Sequence, residues 1–322
     1  MDFQGKRVLV AGGTGLIGIP LVELLVSKGA EVYIVSKDDR SRAHPKALFN
    51  KLDLLDYRNC VWACRAMDYV FNLLCVKGSP ATVKARPATL FELNLLMDIN
   101  LLRAARENGV KGYLFASSLG IYPPAEVFYE DDARKNLPSE NDLFAGLAKL
   151  AGEMQTEAYR VEYGLRTSIV RPANTYGPWD DFWSEGAMVI PSLIKRICDG
   201  EDPLLLSGDG LQIRDFIYSR DVASGMLFVA ENEIYEPVNI GSGLGVKICD
   251  LVDVIAKCSG LKPGMVWDVT KPSGDRKRVL DTNRIKSYGF EPKVSFEEGI
   301  RETIEWYKNN KDKPNTRFNF FR

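Results

Sequence analysis

From Lys6 onward the chain alternates short apolar, β-branched runs with longer stretches in which apolar residues return every three or four positions. RVLVAGG is followed by a helical pattern from about Leu16 to Lys28 and then by EVYIVS. A second helical pattern near Tyr57 to Ala66 leads to DYVFNLL, and a long one near Ala88 to Asn108 leads to GYLFASS. Leu143 to Tyr163 is a further long amphipathic run, and LRTSIVRP closes the series as a sixth strand. Apolar strands separated by helices imply a parallel sheet covered on both faces, an α/β fold of the Rossmann, doubly wound type.

After Arg171 the regularity breaks into RPANTYGPWDDF, rich in Pro, Gly, Asn and Asp. The pattern predicts an NAD(P)-binding domain over 1–171 that regains a segment near 211–245, where VNIGSG reads as chain returning to the sheet. A smaller, interleaved substrate domain is expected over 172–210 and 246–310, followed by a polar tail over 311–322 that frays.

The 42 basic and 43 acidic residues leave a net charge of -1. No protein-wide field favours nucleic acid or an anionic membrane, so the partner expected is a small molecule. No apolar run approaches the roughly 20 residues that span a bilayer, and the N-terminal stretch lacks a small-residue cleavage site. A cytoplasmic, unanchored protein is expected. Cys60, Cys64, Cys75, Cys198, Cys249 and Cys258 form no CxxC pair and read as reduced, mostly buried thiols. The single histidine, His44, reads as an exposed loop residue. A single histidine leaves no His-rich metal site and no histidine pair for acid and base, and no metal is expected.

Gly12-Gly13-Thr14-Gly15-Leu16-Ile17-Gly18 directly follows a predicted strand and opens a predicted helix. Glycines there permit a tight turn and close approach of a pyrophosphate, while the helix N-terminus supplies N–H donors. The segment predicts a dinucleotide site. At the end of the second strand an NAD-specific site carries an acidic residue for the ribose 2′-hydroxyl. Here Ser36 and Lys37 stand there, with Arg40 and Arg42 close behind, which favours NADP over NAD. Asp53 and Leu54, after a third strand, are placed to contact the adenine, and Asp53 fits a turn equally well.

GxxGxxG, Asp53-Leu54, Asn94, Ser117-Ser118 with Ile121-Tyr122, Lys149 in AKLAGE, and Arg171-Pro-Ala-Asn-Thr-Tyr-Gly-Pro178 occur in that order. As a set, from about Lys6 to Tyr307, they resemble the extended short-chain dehydrogenases, the NAD-dependent epimerase/dehydratase family. VIPSLIKR, KPSGDRKRVLD and SFEEGIRETIEWY are most similar to its GDP-fucose synthase and GDP-mannose epimerase branch. The resemblance implies a Ser, a Tyr and, four residues later, a Lys acting on a sugar hydroxyl as hydride moves to or from the nicotinamide. Ser118 and Lys149 match the first and last, but the tyrosine position holds Ala145. An engineered truncation and natural degeneration both account for that alanine. The resemblance also implies a cofactor contact at Asn94 and at Lys149, and diphosphate or base contacts at Asn174, Val189, Arg214 and Arg276. It further implies a homodimer joined through a four-helix bundle of the two long helices.

Branches that add dehydration, decarboxylation or 3,5-epimerisation place acids or bases just after the serine or before VIP, where this chain has Leu119, Gly120 and Met188. Loss of an acid or base costs ~10²–10⁴ in rate, about 3–5 kcal/mol of barrier. What remains is 4-epimerisation of a nucleotide-diphosphate sugar through a 4-keto intermediate. The alternatives are reduction of a 4-keto sugar by NADPH, or a non-catalytic nucleotide-sugar-binding protein.

Overall fold

The computed structural model describes residues 1–76, 80–184, 186–271 and 274–320. The chain opens as β1 (Arg7–Ala11), α1 (Gly18–Ser27), β2 (Glu31–Ser36), β3 (Leu48–Lys51), α2 (Tyr57–Cys64) and β4 (Tyr69–Asn72). It continues as α3 (Pro80–Ala85), α4 (Pro87–Glu107), β5 (Gly112–Ala116), β6 (Val127–Phe128), α5 (Leu143–Tyr163), β7 (Arg166–Pro172) and β8 (Asn174–Tyr176). Then come α6 (Val189–Cys198), β9 (Leu204–Ser207), β10 (Ile213–Tyr218), α7 (Ser219–Glu231), β11 (Val238–Ile240) and β12 (Gly245–Lys247). The last elements are α8 (Ile248–Ser259), β13 (Met265–Asp268), β14 (Lys277–Leu280), α9 (Asn283–Ser287) and α10 (Phe296–Asn310).

Seven parallel strands form the main sheet in the order β11-β7-β5-β4-β1-β2-β3. Alternating strand residues feed two cores, which is why these strands are apolar throughout. Val8 and Val10 pack with Leu21 and Leu25 of α1 and Val222 and Met226 of α7. Leu9 and Ala11 pack with Cys60 of α2 and Leu101 and Ala105 of α4. The order reverses direction at β1, so a crevice opens beyond the carboxyl ends of β1 and β4, where ligands bind in such sheets.

The segment expected to return near 211–245 divides between two sheets. Val238–Ile240 joins the main sheet beside β7, but Ile213–Tyr218 pairs with β8, β12 and β14 in a second sheet that also takes in β6. Alternating apolar residues cannot tell which sheet a strand will enter; the partners, far away in sequence, decide it. A third core lies under α6, α8 and α10.

Three expectations need correction. Of the six cysteines only Cys60 and Cys64 are buried; Cys75 is exposed and the rest are half-buried. Burial pushes the Cys60 thiol up to about 12, so it stays protonated. His44 is half-buried, its Nδ1 accepting from Lys46 N at 3.2 Å. The tail does not fray as far as Phe320, because Phe318 and Phe320 meet edge to face at 5.0 Å and fold back against Lys37 and an apolar patch. Phe321 and Arg322 lie outside the described residues.

Beneath the crevice lies a buried ion pair. Arg171 at the end of β7 gives a two-pronged contact to Glu153 of α5, at 2.9 and 2.7 Å. Its remaining donor reaches Tyr122 Oη and Glu130 O, and Tyr122 Oη donates to Asn239 Oδ1 at 2.6 Å. Every prong of the guanidinium is thus satisfied away from water, the condition under which a buried pair is tolerated. Removing Glu153 strands the arginine charge. Glu153→Ala should lower unfolding free energy by about 3–5 kcal/mol, read as a fall in the urea midpoint; a loss under about 1 kcal/mol, typical of an exposed pair, would refute this account.

Candidate functional site

The glycine-rich turn brings backbone close to backbone at its glycine positions. Gly12 has a φ of +84°, the left-handed region that glycine enters without cost. A Cβ on Gly13 would stand 3.0 Å from the Ile34 side chain, and one on Gly18 would stand 2.2 Å from Gly12 O. Helix α1 begins at Gly18, and no side chain caps its first turn. Its N–H groups and positive dipole end therefore suit an anion, and the cradle fits a pyrophosphate. Leu16 is buried and Ile17 packs on the core beneath α1.

At the tip of β2 the polar groups are already interlinked. Thr14 Oγ1 lies 2.7 Å from both Ser36 Oγ and Asp38 Oδ2. Lys37 Nζ is 2.7 Å from Asp53 Oδ2. Arg42, expected near a 2′-phosphate, instead turns inward: it donates to Thr14 O and Trp179 O, each at 3.1 Å, and approaches Asp38 at 3.6 Å. Burial pulls its pKa down, while the Asp38 charge works the other way. Asp53 also accepts from Leu55 N at 3.1 Å, a turn contact, and Leu54 is buried. Asn94, expected to face cofactor, is buried and clamps the strand β4 exit by bonding Val76 N and O and Leu90 O. Arg40 stays exposed over the Phe49 ring. Asp38 escaped the sequence reading, although two consecutive acids, Asp38-Asp39, follow Ser36-Lys37.

On the other side of the crevice, helix α5 meets the turn after β5. A Cβ on Gly146 would fall 2.2 Å from Gly120 O, so only glycine allows this approach. The contact puts Ala145, half-buried, beside the Ser118 turn, where Ser118 Oγ accepts from Gly120 N at 3.0 Å. Lys149, four residues on and so on the same helix face, is buried. Its Nζ donates to Leu74 O at 2.8 Å and lies 3.4 Å from Asp98 Oδ2. Asn72 donates to Asp98 at 2.8 Å. Burial raises the Asp98 carboxyl above its ordinary value, and the lysine charge opposes that.

Two groups here were missed from the sequence. Asp142, one turn before Ala145, sits so that a Cβ on Gly120 would be 3.5 Å from its Cγ and 3.4 Å from Ser118 Oγ. Its Oδ2 lies 2.7 Å from Arg278 Nη1, and Arg278 Nε and Nη2 are buried without a hydrogen-bond partner. The register of β10 and β14 sets Arg278 beside Arg214. Burial, and then the Arg278 charge, lower the Arg214 pKa, a strain that a bound anion relieves. Of the expected substrate residues, Asn174 donates to Asp215 O at 2.8 Å and Val189 opens α6. Arg276 is exposed and contributes a backbone carbonyl to Ile213 N, leaving Arg278 as the inward cation.

Comparison with known proteins agrees with this architecture. The model of the family described as NAD dependent epimerase/dehydratase family matches residues 8–241. A probable GDP-L-fucose synthase 1 of Oryza sativa subsp. japonica is 31% identical over 318 residues, covering 95% of this chain and 93% of that protein. UDP-glucose 4-epimerase of Thermotoga maritima, solved with UDP-glucose, superposes with a TM-score of 0.84 at 30% identity over 95% of this chain and all of that one, 100%. UDP-glucose 4-epimerase of Thermus thermophilus, solved with NAD, gives 0.83 at 29% identity, covering 94% and 99%.

The cradle is tested at its tightest point. Gly18→Ala forces a methyl group against the Gly12 carbonyl and should weaken NAD(H) binding in calorimetry by about tenfold or more, roughly 1.4 kcal/mol; unchanged affinity would show that the turn does not hold the dinucleotide.

Proposed function

We propose that the chain, which belongs to the NAD dependent epimerase/dehydratase family, interconverts C4 epimers of a nucleotide-diphosphate sugar through a transient 4-keto sugar, on a framework whose proton carrier is cut back to alanine at position 145. The observation that carries the reading is the Gly120–Gly146 contact, which sets position 145 beside Ser118 with Lys149 on the same helix face.

Gly12, Thr14, Gly15, Leu16, Ile17 and Gly18 would hold the pyrophosphate, and Ser36, Asp53 and Leu54 the adenosine. A bound nicotinamide supplies hydride transfer to and from the sugar C4. Ser118 Oγ is the hydroxyl available to bind the C4 oxygen, and a phenol at position 145 would take its proton. Lys149 would favour the phenolate through its charge. Arg214 and Arg278, side by side, suit the sugar diphosphate because each guanidinium can bind two oxygens. Arg278 takes the role the sequence suggested for Arg276. Gly120 and Met188 offer no group to remove a C3 or C5 proton, which keeps the chemistry at C4.

At the 2′ position Lys37 is paired with Asp53 and Arg42 with Asp38, while Arg40 lies exposed over the Phe49 ring. The lean of Ser36 and Lys37 toward NADP is thereby offset, and NAD, with a neutral 2′-hydroxyl, is the better electrostatic match. A 4-ketoreductase reading retains Ser36-Lys37 as its one favouring feature. Leu96 and Ile99 on α4 and Met154 and Val161 on α5 are exposed apolar side chains. Their burial favours a homodimer built by pairing α4 and α5 across subunits.

Two measurements test the proposal. Ala145→Tyr should raise turnover of the right nucleotide sugar by at least ~10²-fold with little change in binding. Interconversion of C4 epimers without added reductant supports the epimerase, stoichiometric use of NAD(P)H on a 4-keto sugar replaces it with the reductase, and no turnover across UDP-, GDP-, CDP- and dTDP-sugars leaves a binding protein. Sedimentation at micromolar concentration should give a dimer, and Met154→Glu with Val161→Glu should yield monomers; a monomeric parent chain would remove the assembly.

A further inference from the structure

The segment from Thr316 to Phe320 lies against Lys37, Asp38, Asp39 and an apolar cluster that includes Leu55, the immediate chain neighbours of Ser36 and of Asp53-Leu54, which are assigned to the adenosine half of the dinucleotide site. Asp39 N donates to Thr316 O at 3.1 Å, and Phe318 N donates to Asp38 Oδ1 at 2.7 Å. Lys37 Nζ stands 4.3 Å from the Phe318 ring centroid and 4.9 Å from that of Phe320, within cation–π range. Phe320 packs into an apolar cluster made by Val76, Leu90 and Met97 with Leu55, Leu74 and Leu93 at its margin. That cluster is bounded by Asp53-Leu54 and by Asn94, whose side chain bonds Val76 and Leu90. Arg317 comes close enough to Arg42 and Asp181 for its charge to bear on both.

From these contacts we propose that Thr316–Phe320 is an internal occupant of the adenosine subsite, which competes with the dinucleotide and leaves when it binds. This rests on the cofactor site proposed above. The chemistry of the segment suits the role. A flat apolar ring, Phe320, fills the pocket that an adenine would fill, and Phe318 covers the lysine at the 2′ edge. A backbone N–H takes the carboxylate Asp38, which in a filled site is free to receive a ribose hydroxyl. The two occupants cannot share the space, because the ring of Phe320 and the ring of an adenine both need the surface of Leu55, Leu74 and Val76. Besides the two rings, a backbone bond to Thr316 O and one from Phe318 N tie the tail to the body of the protein.

Apparent affinity for a ligand whose site is open only part of the time falls in proportion to the open fraction; a site open one-tenth of the time binds about tenfold more weakly. The experiment is calorimetric titration of ADP-ribose, and separately NAD, into the parent chain, into a Phe318→Ala/Phe320→Ala variant and into a chain ending at Lys313. Both alterations should tighten ADP-ribose binding by about tenfold relative to the parent. Amide exchange at Phe318 should speed up when the parent chain is saturated with ADP-ribose, as its bond to Asp38 is given up. Equal or weaker binding by both altered chains overturns the proposal, as does slower exchange at Phe318, which would mean that the tail clasps the ligand. If none of the three chains binds ADP-ribose or NAD, the cofactor reading itself fails, whereas equal binding by all three removes only the tail's role.

Discussion

The close docking of one helix on the sheet is the constraint on which the site depends. Helix α5 approaches β5 and its following turn only because Gly146 and Gly152 lack side chains: a Cβ on the first would strike Gly120 O at 2.2 Å, and on the second the Phe115 ring at 2.5 Å. One turn beyond Lys149, Glu153 is anchored to Arg171 of β7 by the buried ion pair. Sterics set the distance and the ion pair fixes the register. Close-packed elements transmit small displacements, so a shift in either contact would carry position 145 away from Ser118.

A second polar cluster sits between this helix and the segment that follows β4. Asn72 at the end of β4, Asp98 of α4 and Lys149 of α5 bond in sequence, and Lys149 also holds Leu74 O in the segment that leads to Val76. Three elements are thus tied through one ammonium. A lone buried charge would be costly, but the carboxylate and carbonyl supply its partners. Lys149, on the same face of α5 as position 145, thus also ties the segment after β4 to the helix.

What could be read from the sequence was what depends on neighbours along the chain. The glycine turn, the apolar strands and the bounds of the helix Leu143–Tyr163 are local signals, and the fold follows from them. Position 145 could be singled out because it is counted from Lys149. The rest depends on contacts between distant segments. Arg278 faces inward because β14 pairs with β10 in a particular register, while Arg276, two residues earlier, stays outside. Strand β10 was expected to return to the main sheet, yet its partners are β8, β12 and β14. The tail was read as polar because charged residues outnumber its phenylalanines, but two rings with a lysine to cover and an apolar cluster to enter outweigh a run of solvated charges.

Adjacent residues 145 and 146 show how far chemistry and architecture separate here. Gly146 is fixed by the Gly120 carbonyl, and any side chain there must push the helix off the sheet. Ala145, half-buried at the crevice wall, carries no such burden. Alanine at 145 leaves the helix free to keep its place, since alanine is the strongest helix former. The ion pair of Glu153, the bonds of Lys149 and the Ser118 turn are all formed with alanine at this position. Alanine at 145 is therefore compatible with the close packing of this helix on the sheet, which is the arrangement observed. Asp142 and Arg278 place a charged pair beside the Ser118 turn, where the buried Nε and Nη2 of Arg278 make no hydrogen bond.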